Sequence, residues 1–265
     1  MSKKPKELTW EEKRLKVRDM RPIDDVFFEL LAKSKKVCQE ILRVILEDDK
    51  LVVIDTITQS SERNLYGRSV RLDALCKLSN GTRVNIEVQR SNNDDHLKRA
   101  RFNASSITVK ESNSGTNFEN VPDLYIVYIS EFDFLKGGRT IYHIDKMIRE
   151  TNTIVDDGLH EIFVNTVIDD HSDIAELMSC FMKKEVNNPK FPALSAEVRR
   201  LKETEGGVKS MCEIMKKYEQ LAVRENKIEI IQKMLQKEYS KEDILDLGFT
   251  EEEYEEAQKE MLQTV

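Results

Sequence analysis

The chain has 265 residues and a formal net charge of −7, a length that allows one full domain and a smaller appendage. Hydrophobic residues make up 39% of the chain and charged residues 34%, so the chain can fill a core beneath a strongly polar surface. No run approaches the roughly 18 consecutive apolar residues of a membrane span, and the polar, lysine-rich start lacks the apolar stretch of a secretory signal. We therefore expect a soluble, cytoplasmic protein that does not contact membranes.

The negative charge is unevenly distributed along the chain. Residues 60–112 hold ten Lys or Arg and six Asp or Glu, a local balance of +4. Residues 203–265 hold nine and sixteen, a balance of −7. The middle of the chain can therefore face phosphate groups although the whole chain is acidic. The four cysteines are far apart and form no CxxC pair, which predicts buried free thiols.

The chain begins with a polar leader, residues 1–19, and a first helix follows it. The Arg-Pro-Ile-Asp-Asp sequence of residues 21–25 is typical of a helix start, because proline fixes the first-turn dihedral and an aspartate can cap free amides. Apolar residues then recur with helical spacing to about residue 46. This pattern predicts one helix over residues 21–46.

Three strands are predicted next, at residues 51–57, 70–78 and 82–90. The second and third alternate between apolar and polar residues, which is typical of strands with one buried face. The Ser-Asn-Gly sequence of residues 79–81 between them is a strong turn signal. The second and third strands should therefore form a hairpin.

A helix at residues 93–110 and an apolar strand at residues 124–129 follow, and the strand should be buried on both faces. Shorter strands are predicted at residues 140–144 and 161–167. Beyond residue 172 we expect three or four helices, one of which begins at Ser240 and ends at Gly248. The chain thus divides into the leader, an α/β (α+β) core with a mixed sheet at residues 20–170, and a helical C-terminal region at residues 171–265.

Asp73, Glu87 and Gln89 are the candidate site residues of this hairpin. All three belong to the polar faces of their strands, and Glu87 and Gln89, two positions apart, must point the same way. Carboxylate and carboxamide oxygens suit Mg²⁺ or Mn²⁺. The alternative is that these are ordinary solvent-facing residues of a half-exposed sheet.

The length of the hairpin loop decides whether the three side chains can meet. A two-residue loop would place Asp73 on the face opposite to Glu87. A shared site therefore requires an odd loop or a bulge, such as three residues with Gly81 in the left-handed conformation. We predict that Asp73 lies opposite Gln89 or Glu87.

The ordered series of motifs resembles the PD-(D/E)XK nuclease family transposases, also called recombination-promoting nucleases. Asp73 in Arg-Leu-Asp-Ala matches the first acidic position of that family, and Glu87-Val88-Gln89 matches its ExQ form of the (D/E)xK signature. Residues 21–27, 99–102 and 122–125 are similar to further segments of the family. The resemblance covers about residues 20–170, and it implies a restriction-endonuclease-like core.

The resemblance implies a metal-dependent DNA endonuclease. Asp73 and Glu87 would hold Mg²⁺ or Mn²⁺, and both would act with Gln89 in catalysis. The wider superfamily has Lys where this chain has Gln89, and a neutral carboxamide can orient water but supplies no positive charge. Nearby basic residues that can supply it are Lys77, Lys98, Arg99 and Arg101.

Two further groups of residues carry alternative interpretations. His96, Arg99 and Asn103 share one stripe of the helix at residues 93–110, which could meet phosphate oxygens or could be a solvated face. Asp24 and Asp25 could add an auxiliary carboxylate to the site, or they could cap the first helix.

Two other functions compete with the nuclease. One is a catalytically silent scaffold that binds nucleic acid or protein through its helical tail, because a fold alone never establishes an activity. The other is oligomerisation, supported by the amphipathic stretch at residues 223–235, which also allows a homo-oligomer to form through the C-terminal helices.

Overall fold

The computed structural model describes residues 9–63, 69–92, 95–112, 115 and 117–262, without the side chains of residues 59–63, 69–71 and 262. The described residues fall into two compact units. One lies within Met1–Ser61 and Arg71–Met211, and the other lies within Glu62–Val70 and Cys212–Val265. Residues 1–8 of the predicted leader and the predicted helix start at residues 93–94 are outside the described residues.

Three helices open the first unit, and they correct the prediction of one long helix. Helix α1, Trp10–Arg18, lies within the predicted polar leader and begins with a capping box between Thr9 and Glu12. Helices α2, Asp25–Leu31, and α3, Lys35–Ile45, replace the single helix expected over residues 21–46. The break arises because the Ser34 side chain accepts a hydrogen bond from the Val37 amide and starts a new helix there.

The described part of the chain forms two sheets, and the larger one is mixed, as predicted. Its strands stand in the order β1-β2-β3-β4-β8-β5, with β3, β4 and β8 parallel to one another. Strands β6 and β7 form a separate hairpin that the sequence analysis did not anticipate. The strands are β1 Val53–Arg63, β2 Ser69–Leu78, β3 Arg83–Gln89, β4 Leu124–Ser130, β5 Ile141–Ile144, β6 Lys146–Ile148, β7 Thr153–Val155 and β8 Leu159–Asn165.

Helices cover both faces of the central strands. The thiols of Cys38 on α3 and Cys76 on β2 contact each other on one face. On the other face, His96 of helix α4, His96–Glu111, bonds to the hydroxyl of Tyr128 on β4. Strand β4 is buried along almost its whole length, which confirms the prediction for this strand.

Five helices follow the sheet in the described residues, where three or four were predicted. They are α5 Asp173–Phe181, α6 Pro192–Glu203, α7 Glu205–Gln236, α8 Lys241–Asp246 and α9 Glu251–Leu262. Helices α5 and α6 pack on α3 within the first unit. Helix α8 has the predicted Ser240 cap, and Gly248 follows it with φ +95°. No helix among the described residues is both long and apolar enough to cross a membrane.

The second unit has a small apolar core of its own. Ile228 and Ile231 of α7, Ile244 of α8 and Ala257 of α9 are buried together, with Phe249 packed against them. This cluster explains the amphipathic pattern at residues 223–235 by packing within one chain. The predicted homo-oligomer is not needed to account for it.

The hairpin between β2 and β3 has the odd loop that a shared site requires. Ala74 pairs with Ile86 and Cys76 with Val84, and the Leu78 amide donates to Thr82, which leaves residues 79–81 as the loop. Gly81 has φ +96°, the left-handed conformation that glycine adopts at little cost. The same register places Asp73 opposite Glu87 and confirms the predicted pairing.

Gly81→Ala should therefore lower the free energy of unfolding by about 1–2 kcal/mol, because an alanine is strained at this positive φ. Gly206→Ala is the matched control, since an added Cβ meets nothing within 4 Å at either position and Gly206 lies in helix α7. The control should stabilise the protein by about 0.5–1 kcal/mol. Urea unfolding followed by circular dichroism measures both, and equal effects would contradict a conformational role for Gly81.

Candidate active site

The register of the hairpin brings the carboxyl groups of Asp73 and Glu87 together. Asp73 Oδ2 accepts a hydrogen bond of 2.9 Å from the amide of Val88, which fixes the Asp73 side chain across the strand pair. The Glu87 carboxyl is within hydrogen-bonding reach of the Asp73 carboxyl. The two acids predicted from the sequence therefore share one face of the sheet.

Glu87 is buried in the sheet and only 6% exposed, which is unusual for a glutamate. Burial raises the pKa of its carboxyl well above the ordinary value, and the neighbouring charge of Asp73 raises it further. A hydrogen bond from Asn85 opposes this shift. Two carboxyl groups in such a place are costly to ionise together, which distinguishes them from ordinary solvent-facing residues.

Asn85 is a member of the site that the sequence analysis did not select. It lies two residues before Glu87 on the same face of β3, its side chain is fully buried, and its Nδ2 donates to Glu87 Oε1 at 2.8 Å. The alternation of β3 places Asn85 on the same face as Glu87 and Gln89, and this shared face is the sequence pattern that could have identified it. Alternation alone does not distinguish a buried polar residue from an exposed one.

Gln89 lies at the end of β3 and is half-buried. Its Nε2 donates to the carbonyl of Ser91 at 2.9 Å. The amide group is thus turned towards the chain that follows the strand, and its oxygen is the atom that could serve as a ligand or orient a water molecule.

His96 does not lie on an exposed stripe. It is 4% exposed, its Nδ1 is 3.0 Å from the hydroxyl of Tyr128, and its ring packs against Phe132 and Phe134 with centroids 5.1 and 4.8 Å away. Asn103 of the same stripe is buried as well. His96 and Asn103 therefore face the sheet, so His96 is neither an exposed phosphate contact nor part of a solvated face, whereas Arg99 of the same stripe is partly exposed.

The other basic residues of α4 lie differently. Lys98 and Arg101 are exposed, and Arg99 is partly exposed. The Arg99 guanidinium is 3.3 Å from the Asp95 carboxylate one turn earlier. Its charge also reaches the site face, since burial raises the pKa of the Tyr128 hydroxyl and Arg99 opposes that shift. Lys77, on β2, is exposed.

The Asp24 carboxylate belongs to an ion-pair network. Its Oδ2 accepts from the backbone amide of Arg21 at 2.6 Å, and Arg90 contacts its Oδ1 at 2.9 Å. Glu131 bridges Arg21 and Arg90 at 2.9 and 3.1 Å. Asp24 is the N-cap residue of α2, yet its side chain makes no capping hydrogen bond there. Asp25 is exposed in the first turn of α2.

The residues present fit a divalent cation such as Mg²⁺ in their chemistry. Among the described residues no group of three or more His, Cys, Asp or Glu could hold a metal ion. The candidate donors are the two carboxyls and the carboxamide of Gln89, which follows Glu87 on the same strand. Hard oxygen ligands suit Mg²⁺, which commonly binds through one or two carboxylates. A cation would also offset the repulsion that raises the pKa of Glu87.

The stability of the metal-free protein should depend on pH through Glu87. The folded protein favours the protonated Glu87 carboxyl, because its pKa is raised above 4.5. The stability that this protonated carboxyl contributes is complete below pH 4.5 and is lost as the pH rises through the folded pKa. Glu87→Gln cannot ionise, so its gain in melting temperature over the unsubstituted protein should grow from pH 5 to pH 8 in a metal chelator.

A control with the opposite sign is Glu176→Gln. A hydrogen bond from Lys190 lowers the pKa of Glu176, so the stabilisation is present at neutral pH and is lost in acid. This variant should lose melting temperature at pH 7 relative to pH 4. A difference between Glu87→Gln and the unsubstituted protein that does not change with pH would show that Glu87 is ionised alike in the folded and unfolded chain.

Comparison with known proteins identifies the family of the chain. No curated protein and no solved structure matches it. The family model for the PD-(D/E)XK nuclease family transposases matches residues 22–169, which is more than half of the chain and contains all of β2, β3 and α4. The chain belongs to the PD-(D/E)XK nuclease family transposases.

Proposed function

We propose that the protein is a metal-dependent endonuclease that hydrolyses phosphodiester bonds in DNA. The observation that carries the proposal is the pair of carboxyl groups, Asp73 and Glu87, held together on one face of a buried hairpin. Membership of a nuclease family supports DNA as the substrate. The buried position supports a functional role, because a structural residue there would be expected to be apolar.

In this proposal Asp73 and Glu87 hold Mg²⁺ or Mn²⁺. A bound divalent cation lowers the pKa of water and stabilises the charge that develops on a phosphate. Gln89 orients the attacking water through its carboxamide oxygen, which can accept a hydrogen bond. The amide of Val88 keeps Asp73 in place, because it donates a hydrogen bond to Asp73 Oδ2 across the strand pair.

The positive charge that a lysine would supply must come from elsewhere in the chain. Gln89 is neutral, and Arg90 beside it is engaged with Asp24 and Glu131. We propose that the exposed side chains of Lys98 and Arg101 meet the DNA backbone, with Arg99 as a weaker contributor because it pairs with Asp95. The positive balance of residues 60–112 supports this assignment.

A plasmid nicking assay with Mg²⁺ or Mn²⁺ tests the proposal. Asp73→Asn and Glu87→Gln should abolish cleavage, because each removes a negative ligand of the cation. Gln89→Ala should slow cleavage by about 10-fold, the effect of one lost hydrogen bond of about 1.4 kcal/mol.

Glu161→Gln is the matched control for these variants. Glu161 is a half-buried strand residue whose pKa is also raised by burial, but no neighbouring carboxylate contributes to its shift. The Glu161→Gln variant should cleave the plasmid at the rate of the unsubstituted protein. If the unsubstituted protein neither binds a divalent cation nor cuts DNA, the proposal is wrong and the silent scaffold becomes the better account.

The contact with DNA can be tested separately by salt dependence. Arg101→Ala should weaken DNA binding and reduce the slope of log Kd against log salt by about 1, the share of one phosphate contact. Arg199→Ala, at another exposed helical arginine, should leave the slope unchanged. Fluorescence anisotropy with a short duplex measures both, and equal slopes for the two variants would remove Arg101 from the interface.

A further inference from the structure

Asn85 is a buried polar side chain that bonds directly to one of the proposed metal ligands. It is fully buried on the face of β3 that carries Glu87. Its Nδ2 donates to Glu87 Oε1 at 2.8 Å. Across the hairpin it pairs with Leu75, which is also buried, so the amide lies beside an apolar neighbour and is hydrogen-bonded to Glu87.

The other end of the same amide is unsatisfied. Asn85 Oδ1 is buried and has no hydrogen-bond partner among the described residues. A buried acceptor without a partner costs the full free energy of its desolvation, and an apolar side chain at the same place would avoid that cost. Packing therefore does not explain an asparagine at this position, whereas the bond to Glu87 does.

We infer that Asn85 is a positioning residue that holds the Glu87 carboxyl in the orientation in which it binds the divalent cation. The inference rests on the proposed function and names a further residue for it. The carboxyl of Glu87 can turn about its last bonds, and the Asp73 carboxyl lies within hydrogen-bonding reach of it. The Asn85 amide fixes Oε1 from one side, which leaves Oε2 as the oxygen directed to other partners.

Such a residue should affect metal binding and stability in opposite directions. Asn85→Leu keeps the branching at Cγ but has methyl groups in place of the amide atoms. We expect the Mn²⁺ dissociation constant, measured by calorimetry, and the Mg²⁺ concentration for half-maximal nicking each to rise about 10- to 100-fold, as for other residues that orient metal ligands. The melting temperature of the metal-free variant should be unchanged or higher.

Asn85→Ala guards against a variant that fails to fold, because it adds no volume to the packed face, and it should show the same rise in both metal constants. Leu75→Val is the control on the neighbouring strand. It should lower the melting temperature by about 2–4 °C, the effect of one buried methylene, with the metal constants unchanged. A lower melting temperature with unchanged metal constants in both Asn85 variants would make Asn85 structural and overturn the inference.

Asn85→Asp separates positioning from direct ligation. It replaces the donor with an oxygen facing Glu87 Oε1, so a positioning role predicts weaker Mn²⁺ binding. Tighter binding would show that the side chain is itself a ligand, which overturns the inference while the nuclease stands. If the unsubstituted protein binds no Mn²⁺ and cuts no DNA, the proposed function fails, and the role of Asn85 fails with it.

Discussion

The register of the β2–β3 hairpin is the constraint on which the proposed site depends. Side chains alternate between sheet faces, so a shift of one residue would move Asp73 to the face opposite to Glu87. The three-residue loop with Gly81 at φ +96° selects the observed register. The bond from the Val88 amide to the Asp73 carboxylate then holds the acid across the pair, so backbone geometry and side-chain chemistry support the same arrangement.

The surroundings of Glu87 make this arrangement expensive for the metal-free protein. The pKa of Glu87 is raised by burial and by Asp73, and Asn85 Oδ1 is left without a partner among the described residues. The polar groups nearby are otherwise well paired, as in the network of Asp24, Arg90 and Glu131 at the ends of β3 and β4. A buried acid with a raised pKa beside an amide oxygen that lacks a partner is typical of functional sites.

The alternating pattern of two strands placed both acids on polar faces, because alternation depends only on local sequence, and the requirement that they share one site then predicted the odd loop. It could not predict which face residues are buried, and Asn85 was overlooked for that reason. The helical spacing of α4 likewise grouped His96 with Arg99 but could not show that His96 packs against Phe134. The pairing of Asp24 with Arg90 joins residues far apart in the chain, where local patterns carry no information.

The most direct test of the account is a calorimetric titration of the metal-free protein with Mn²⁺ in two buffers of different ionisation enthalpy. The account predicts binding, with proton release that grows as the buffer pH is lowered through the raised pKa of Glu87, because a protonated carboxyl must lose its proton to bind the cation. Both the binding and the proton release should disappear in Asp73→Asn. Binding of equal strength in that variant, or no binding by the unsubstituted protein, would contradict the assignment of the site to Asp73 and Glu87.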